Sequence, residues 1–269
     1  MPSSNKYLFA FLFLSGVHSS TATATVILDA NGGEVVRDLQ QLSLAIVNYE
    51  STYNKLPGDI SDNTGTPLLS WRVALLPFLN EESLFNQFDL TKAWDAEPNR
   101  DLLERMPEVL RGPFDAPDSV LTHYARGSGP GTLLDGGDLR LLTDIPDGTS
   151  RTLLIGEYPG STIPWTAPFD LPIEPCPSLP ALGDLSFFSC QIADEVPFAL
   201  ADGSVRFFER RTDCETLYSL FIRNDGGPQT FESHGYVIAT SVPDTGSNAW
   251  QLGIAAAMLM IVRRVVATR

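Results

Sequence analysis

Histidine, cysteine and basic residues are all scarce in this chain. Its 269 residues include 3 histidines, 3 cysteines and 18 lysines and arginines, against 33 aspartates and glutamates, which gives a formal net charge of -15. Proteins that bind nucleic acid usually present basic patches that neutralise phosphates and release counterions. The acidic balance therefore predicts that nucleic acid is not a partner, and it favours solubility and the attraction of cations.

The chain also lacks the common motifs of catalytic and cofactor sites. No Cys-x-x-Cys or Gly-x-Ser-x-Gly spacing occurs, and only His123 and His234 lie beyond the first 24 residues, which argues against zinc sites and Ser/His/Asp triads. The glycine-rich segment 127–131 has no Lys-Ser/Thr pair of a P-loop. Residues 59–65 and 135–138 carry only part of the ligand set of a calcium loop. We predict no catalytic residue, no cofactor and no metal site.

The N-terminus has the layout of a secretory signal peptide. Lys6 supplies the positive start, residues 7–17 are apolar but too few to span a membrane stably, and Ala22 and Ala24 form a small-x-small cleavage site. We expect signal peptidase to remove residues 1–24, so that the protein is exported.

The C-terminus, residues 241–269, combines a turn-forming motif, a short apolar run at 249–262 and a basic stop. The motif and stop residues are Val242, Pro243, Asp244, Thr245, Gly246, Arg263 and Arg264. This order resembles the VPDSG-type sorting signals that exosortase-type enzymes process in Gram-negative bacteria. A helix of about 14 residues reaches only about 21 Å, against about 30 Å of hydrocarbon. The resemblance implies processing of the tail, and a permanent membrane anchor is the alternative; in both cases the rest of the chain lies outside the cytoplasmic membrane.

The three cysteines would lie in an oxidising compartment, where disulfides persist. Cys176 and Cys190 bracket a loop rich in proline, glycine and serine. We predict a disulfide between these two, with Cys214 buried at the start of a helix.

A long helix is predicted over residues 34–54. Apolar side chains recur at steps of four and three and form one stripe on its surface; they are Val35, Leu39, Leu42, Ile46, Tyr49 and Tyr53. Such a stripe requires an apolar surface to pack on, and we expect a sheet. Shorter helices are predicted over residues 68–79, 81–88, 99–106 and 215–223.

Strand patterns follow the first helices. They cover residues 120–125, 139–142, 151–157, 196–200 and 205–209. The last two predict a hairpin around Asp202-Gly203, because Asp-Gly suits a turn that needs positive φ. Helices followed by strands predict a single α+β domain over residues 25–240 with an antiparallel sheet.

Several segments together resemble the planctomycete-type family of prepilin-like secreted proteins called domain of unknown function 1559. They are Leu39-Gln40-Gln41-Leu42, Leu69-Ser70-Trp71-Arg72 with the residues up to Leu79, Asp147-Gly148-Thr149-Ser150, and Ala201-Asp202-Gly203-Ser204. The resemblance implies a pilin-like fold, in which a long N-terminal helix lies on an antiparallel sheet with additional short helices. Two features depart from the family: a cleavable signal peptide replaces the prepilin leader, and Ile192 stands where the family has a histidine nine residues before Asp-Gly.

These observations favour a non-enzymatic, exported envelope or surface protein whose ligand the sequence does not name. The alternatives are an extracellular binding module for glycan, peptide or calcium, and a carboxylate-based hydrolase. A sugar-binding face would use Trp71, Trp94 and Trp165, which the spacing assigns more readily to the core.

Overall fold

The computed structural model describes residues 30–134, 139–141, 143–158, 160–175, 195–209, 212–226 and 233–234. The remaining predicted features lie outside these residues: Ala22 and Ala24, Cys176 and Cys190, Ile192, and the whole sorting segment from Val242 to Arg264. All of the described residues fall within the compact unit Met1–Ile238.

The described helices and strands are as follows. The α-helices are α1 (Ala30–Tyr53), α2 (Trp71–Ala74), α3 (Glu82–Phe85) and α4 (Cys214–Phe221), and the 3₁₀ helices are Leu76–Leu79, Asn99–Arg105, Glu108–Leu110 and Thr149–Arg151. The strands are β1 (Ile60–Ser61), β2 (Pro67–Leu69), β3 (Tyr124–Ala125), β4 (Gly127–Ser128), β5 (Leu153–Glu157), β6 (Leu171–Pro172), β7 (Glu195–Leu200), β8 (Val205–Glu209) and β9 (Ser233–His234).

Helix α1 confirms the predicted amphipathic helix. The stripe residues Val35, Leu39, Leu42 and Ile46 are fully buried, whereas Tyr53 at the far end is 54% exposed. The helix ends where Asn54 adopts a positive φ of 57°, a conformation that asparagine tolerates at a helix C-terminus. The predicted stripe therefore ends before the helix does.

The main sheet is antiparallel, with the strand order β3-β5-β7-β8-β9. Strands β7 and β8 form the predicted hairpin, in which Val196 faces Phe208 and Ala199 faces Val205. At its turn, Gly203 has φ 81° and the Ser204 amide donates to the Asp202 carboxylate at 2.9 Å. Gly203 thus supplies the positive φ that the sequence predicted, whereas Asp202 contributes by accepting a backbone hydrogen bond.

Both faces of the sheet are covered. Helix α1 contacts β5, β7 and β8, and Ala199 and Phe207 join its core. Residues of the opposite face, such as Phe198 and Phe208, pack with Leu217 and Leu220 of α4. The predicted α+β class, with an N-terminal helix on an antiparallel sheet, is confirmed.

Several local predictions are wrong in extent. Residues 68 and 69, expected to begin a helix, instead belong to β2, which pairs with β1. The helix starts only at Trp71, because the Ser70 hydroxyl accepts from the Arg72 amide at 3.2 Å and caps it there. Residues 139–141 are not in a strand, and the strand expected from residue 120 covers only Tyr124–Ala125. Within the described ranges, no helix has the length and apolar character needed to span a bilayer.

Candidate functional site

Two largely buried groups of polar side chains lie at the sheet and its connections in the described residues. We call the first the arginine–tryptophan cluster; it consists of Asp59, Trp71, Arg72, Arg126 and Asp170. We call the second the carboxylate–histidine cluster; it consists of Asp38, Asp115, His123, Tyr124 and Glu157. Buried charges are costly unless they are paired and hydrogen-bonded, so the partners of these side chains decide whether their charges are tolerated.

The arginine–tryptophan cluster is centred on a buried ion pair. The guanidinium of Arg72 contacts the Asp170 carboxylate at 2.6 Å, with side-chain exposures of 0% and 2%. Arg72 also donates to the Tyr124 carbonyl from Nη2 at 3.0 Å and to the Ser70 hydroxyl from Nη1 at 2.9 Å. The second Asp170 oxygen accepts from the Trp71 indole at 2.7 Å. Asp170 is therefore held by protein donors on both oxygens.

A second arginine completes this cluster. Arg126 donates its amide to Asp170 at 2.9 Å and its guanidinium to the carbonyls of Pro57 and Leu133 at 2.7 and 3.0 Å. Burial lowers the pKa of Arg126 to about 10, although the negative charges of Asp170 and Asp59 act to raise it. Both guanidiniums lie near the Trp71 ring, at 4.6 and 5.1 Å from its centroid, a cation–π arrangement. The cluster joins α2, the connection between β3 and β4, the loop at Pro57 and the segment before β6.

The carboxylate–histidine cluster surrounds β3. The His123 ring contacts Asp115 from Nδ1 at 3.0 Å and Glu157 from Nε2 at 2.8 Å. The Tyr124 hydroxyl donates to Asp38 at 2.9 Å, and Tyr124 faces Glu157 in the register of β3 and β5. Glu157 is 2% exposed on its side chain, and its Oε2 has no hydrogen-bond partner within the described ranges.

The cluster perturbs the acidity of its members. Burial raises the pKa of Asp38 from 3.8 to about 7, with a further increase from Glu34 and Glu108 and a decrease from the Tyr124 hydrogen bond and Arg37. Burial lowers the pKa of His123, but the hydrogen bond and charge of Glu157, together with Asp115, raise it above its ordinary value of 6.5. Both shifts favour the protonated forms of Asp38 and His123.

The residues singled out from the sequence are distributed differently. Trp71 and Trp165 are fully buried, as the core assignment predicted, whereas Trp94 is half-buried and contacts the exposed ring of Phe169 at 6.3 Å. Of the acidic loop, Asp59 accepts from the Trp71 amide, and Asp62 accepts from the amides of Thr64 and Thr66 at 2.8 and 2.9 Å. These carboxylates accept hydrogen bonds from backbone amides. No group of three possible metal ligands occurs in the part of the chain that the structure describes.

Cys214 corrects part of the disulfide prediction. It does begin α4, but it is half-buried rather than buried, and it is disulfide-bonded. The expectation that Cys214 stands apart from the disulfide is therefore wrong. The predicted partners Cys176 and Cys190 lie outside the described residues.

Sequence reasoning missed both clusters as groups. Asp38 and Tyr124 are 86 residues apart, and Arg72 and Asp170 are 98 apart. The Ser70-Trp71-Arg72 segment was a local indication of the first cluster, because all three of its residues are buried. Gly112 gave no signal, yet a Cβ there would overlap the His123 ring.

One comparison with known proteins gives a match. Residues 37–138 are similar to the family described as protein of unknown function (DUF1559). The matched range contains most of α1, the Ser70-Trp71-Arg72 segment and the His123-Tyr124 pair, and it covers less than half of the chain. No curated protein and no solved structure matches. The match supports the family resemblance and leaves the molecular role open.

Proposed function

We propose that this chain is a non-enzymatic, exported envelope or surface protein with a pilin-like domain. Its C-terminal segment holds it at the membrane or marks it for processing. Signal peptidase and an exosortase-type enzyme are its processing partners, and the membrane is reached through residues 249–262. Its place is outside the cytoplasmic membrane, and its surface ligand is unassigned.

The observation that carries the pilin-like part is the docking of α1 on the antiparallel sheet. The buried half of the stripe, from Val35 to Ile46, contacts β5 and the β7–β8 hairpin. This helix lies largely within the range that matches the DUF1559 model. A long N-terminal helix laid on an antiparallel sheet is the layout that the resemblance to prepilin-like proteins implies.

The arginine–tryptophan cluster supports a structural role for the Ser70-Trp71-Arg72 segment. Trp71 and Arg72 make their hydrogen bonds to protein groups, Asp170 and Tyr124 among them. Buried ionic groups whose remaining donors and acceptors are satisfied internally rigidify a core. The motif is therefore best explained by the architecture it holds together.

The two terminal segments support export and processing. The segment up to Ala24 has the three parts of a signal peptide. The order of Val242-Pro243-Asp244-Thr245-Gly246, apolar run and Arg263-Arg264 matches a sorting signal in its layout. Because the apolar run is short for a stable span, processing explains it better than permanent anchoring.

The test is the mass and location of the mature protein. The tagged full chain is expressed in a host with an exosortase, the cells are fractionated, and intact masses are measured. We expect the wild type outside the cytoplasmic membrane without residues 1–24 and without its C-terminal segment. Pro243→Ala combined with Asp244→Ala should keep the tail and show the higher mass.

The matched control changes two neighbouring residues outside the motif. Thr240→Ala combined with Ser241→Ala introduces the same number of alanines next to the motif and should be processed like the wild type. Mature forms of the motif variant and the wild type that end at the same residue would refute the sorting signal and leave a plain anchor. Retention of the wild type in the cytoplasm would refute export.

A further inference from the structure

The position of His123 between two carboxylates makes a proton necessary. Its Nδ1 lies 3.0 Å from Asp115 and its Nε2 lies 2.8 Å from Glu157. A neutral imidazole has one donor and one acceptor, whereas an ionised carboxylate only accepts. With neutral His123 and both acids ionised, one of the two contacts would join two acceptors. The imidazolium, which donates from both nitrogens, satisfies both contacts.

The charged groups around Asp38 are mainly acidic. Glu34 on α1 and Glu108 on the 3₁₀ helix Glu108–Leu110 act on Asp38 with the same sign, and Arg37 is the cation that opposes them. Glu157 has an oxygen without a hydrogen-bond partner among the described residues. An ionised Asp38 would therefore be a poorly compensated charge, and the protonated form is the one that this environment favours.

These contacts connect parts of the fold that lie far apart in sequence. Asp38 belongs to α1, Tyr124 to β3 and Glu157 to β5, while Asp115 lies in the loop that follows residue 110. The loop is fixed at this place because the Gly112 amide donates to Asp115 at 2.8 Å and the His123 amide donates to the Leu110 carbonyl at 2.8 Å. The cluster is thus a junction between the helix, the edge of the sheet and this loop.

We propose that the carboxylate–histidine cluster is a proton-dependent latch, which holds α1, β3, β5 and the loop at residues 112–115 together in acid and loosens when its protons are lost. The inference does not depend on the proposed export or processing. It assigns a role to residues that the scaffold argument leaves unexplained.

The direction of the pH dependence follows from the two perturbed groups. Burial raises the pKa of Asp38 from 3.8 to about 7, so its contribution to stability is complete below 3.8 and is lost as the pH rises through about 7. The raised pKa of His123 has the same sign: its contribution is complete below 6.5 and is lost as the pH rises through the folded value. Two exposed acids have the opposite effect on stability, and they act at lower pH. Hydrogen bonds from Thr64 and Thr91 hold the pKa values of Asp62 and Asp89 below the ordinary range, so their contribution is lost as the pH falls.

The first test is a proton NMR titration of the imidazoles in the purified full chain. The His123 signal is identified by its loss in His123→Gln. We expect its midpoint above the ordinary 6.5, and lower midpoints in Glu157→Gln and in Asp115→Asn, each of which removes one charge partner. Asp118→Asn removes an equal charge from an exposed neighbouring position and should leave the midpoint unchanged. A wild-type midpoint at or below 6.5 would overturn the latch, and this result needs no variant to fold.

The second test compares urea midpoints of the full chain at about pH 5, below the folded pKa values of Asp38 and His123, and at about pH 8.5, above that of Asp38. The wild type should unfold at a lower urea concentration at the higher pH. Asp38→Asn keeps an acceptor for the Tyr124 hydroxyl but cannot ionise, so the difference between the two midpoints should shrink. It should persist in Asp118→Asn. The same difference in Asp38→Asn as in the wild type would remove Asp38 from the latch.

Discussion

Arg72 shows what a single side chain contributes to this fold. Its guanidinium donates to the Asp170 carboxylate, the Tyr124 carbonyl and the Ser70 hydroxyl while lying beside the Trp71 ring. A guanidinium can satisfy several acceptors at once because it presents five donors in a planar fork, which an ammonium group does not. Arginine is required here for its shape as well as for its charge.

Substitution of Arg72 by lysine should therefore destabilise the protein although the charge is kept. Lysine leaves buried acceptors without donors, which costs about 1–3 kcal/mol for each unsatisfied group. We expect the free energy of unfolding in urea to fall by about 3 kcal/mol or more. Arg100→Lys is the control, because Arg100 pairs with Glu97 at 2.8 Å on the surface and should change stability by less than about 0.5 kcal/mol. Equal midpoints for the two variants would contradict this account of the cluster.

At the scale of elements, α1 and the sheet depend on each other. The helix buries Leu39, Leu42 and Ile46 against the strands, and the strands bury one face under the helix and the other under α4. This coverage explains why β5 and β7 are apolar at nearly every position, since strands covered on both faces lose the usual alternation. The helix supplies one of these two covers.

A charge on the buried face of α1 tests this docking. Leu42→Asp places a carboxylate without a partner at a fully buried position and should lower the free energy of unfolding by several kcal/mol, about 3 or more. Gln41→Asp adds the same residue to the exposed face of the same helix and should change it by less than about 0.5 kcal/mol. Urea unfolding of the full chain measures both. If the two variants unfolded at the same concentration, α1 would not be docked through this face.

At the scale of the whole molecule, the disulfide at Cys214 bears on how α4 is held in place. Because the chain has 3 cysteines, we predict that Cys214 is joined to Cys176 or Cys190. Helix α4 covers the sheet face opposite α1. A bond at its first residue would therefore fasten this cover.

Peptide mapping under non-reducing conditions identifies the bond. We expect a Cys214 peptide joined to one of the other two cysteine peptides, and Cys214→Ser should lower stability by about 3.5–4 kcal/mol in the chain-entropy model. Serine at the partner position should cost a similar amount, and serine at the third cysteine should cost little, which makes it the internal control. A linked Cys176–Cys190 peptide with a free Cys214 thiol would contradict the prediction.

The sequence by itself determined the elements whose pattern is local. The stripe from Val35 to Ile46 repeats at helical spacing, and the Asp202-Gly203 turn lies between two apolar runs, so each could be identified within about twenty residues. The capping position of Ser70 is local in the same sense. The ends of elements were less predictable, as Pro67–Leu69 shows: pairing with β1 decides its conformation, and a pairing partner is not a property of the segment.

Only the tertiary structure decided which polar residues meet. Asp38, Asp115, His123 and Glu157 have no common spacing in the sequence, and each alone is an ordinary charged or polar residue. They come together because β5 pairs with β3, because Tyr124 of β3 reaches Asp38 of α1, and because Gly112 leaves room for the imidazole ring. Burial then changes their acidity, since a charge removed from water depends on the few groups around it. Apolar periodicity is a property of a local stretch of sequence, whereas the partners of a buried charge are determined by the tertiary fold.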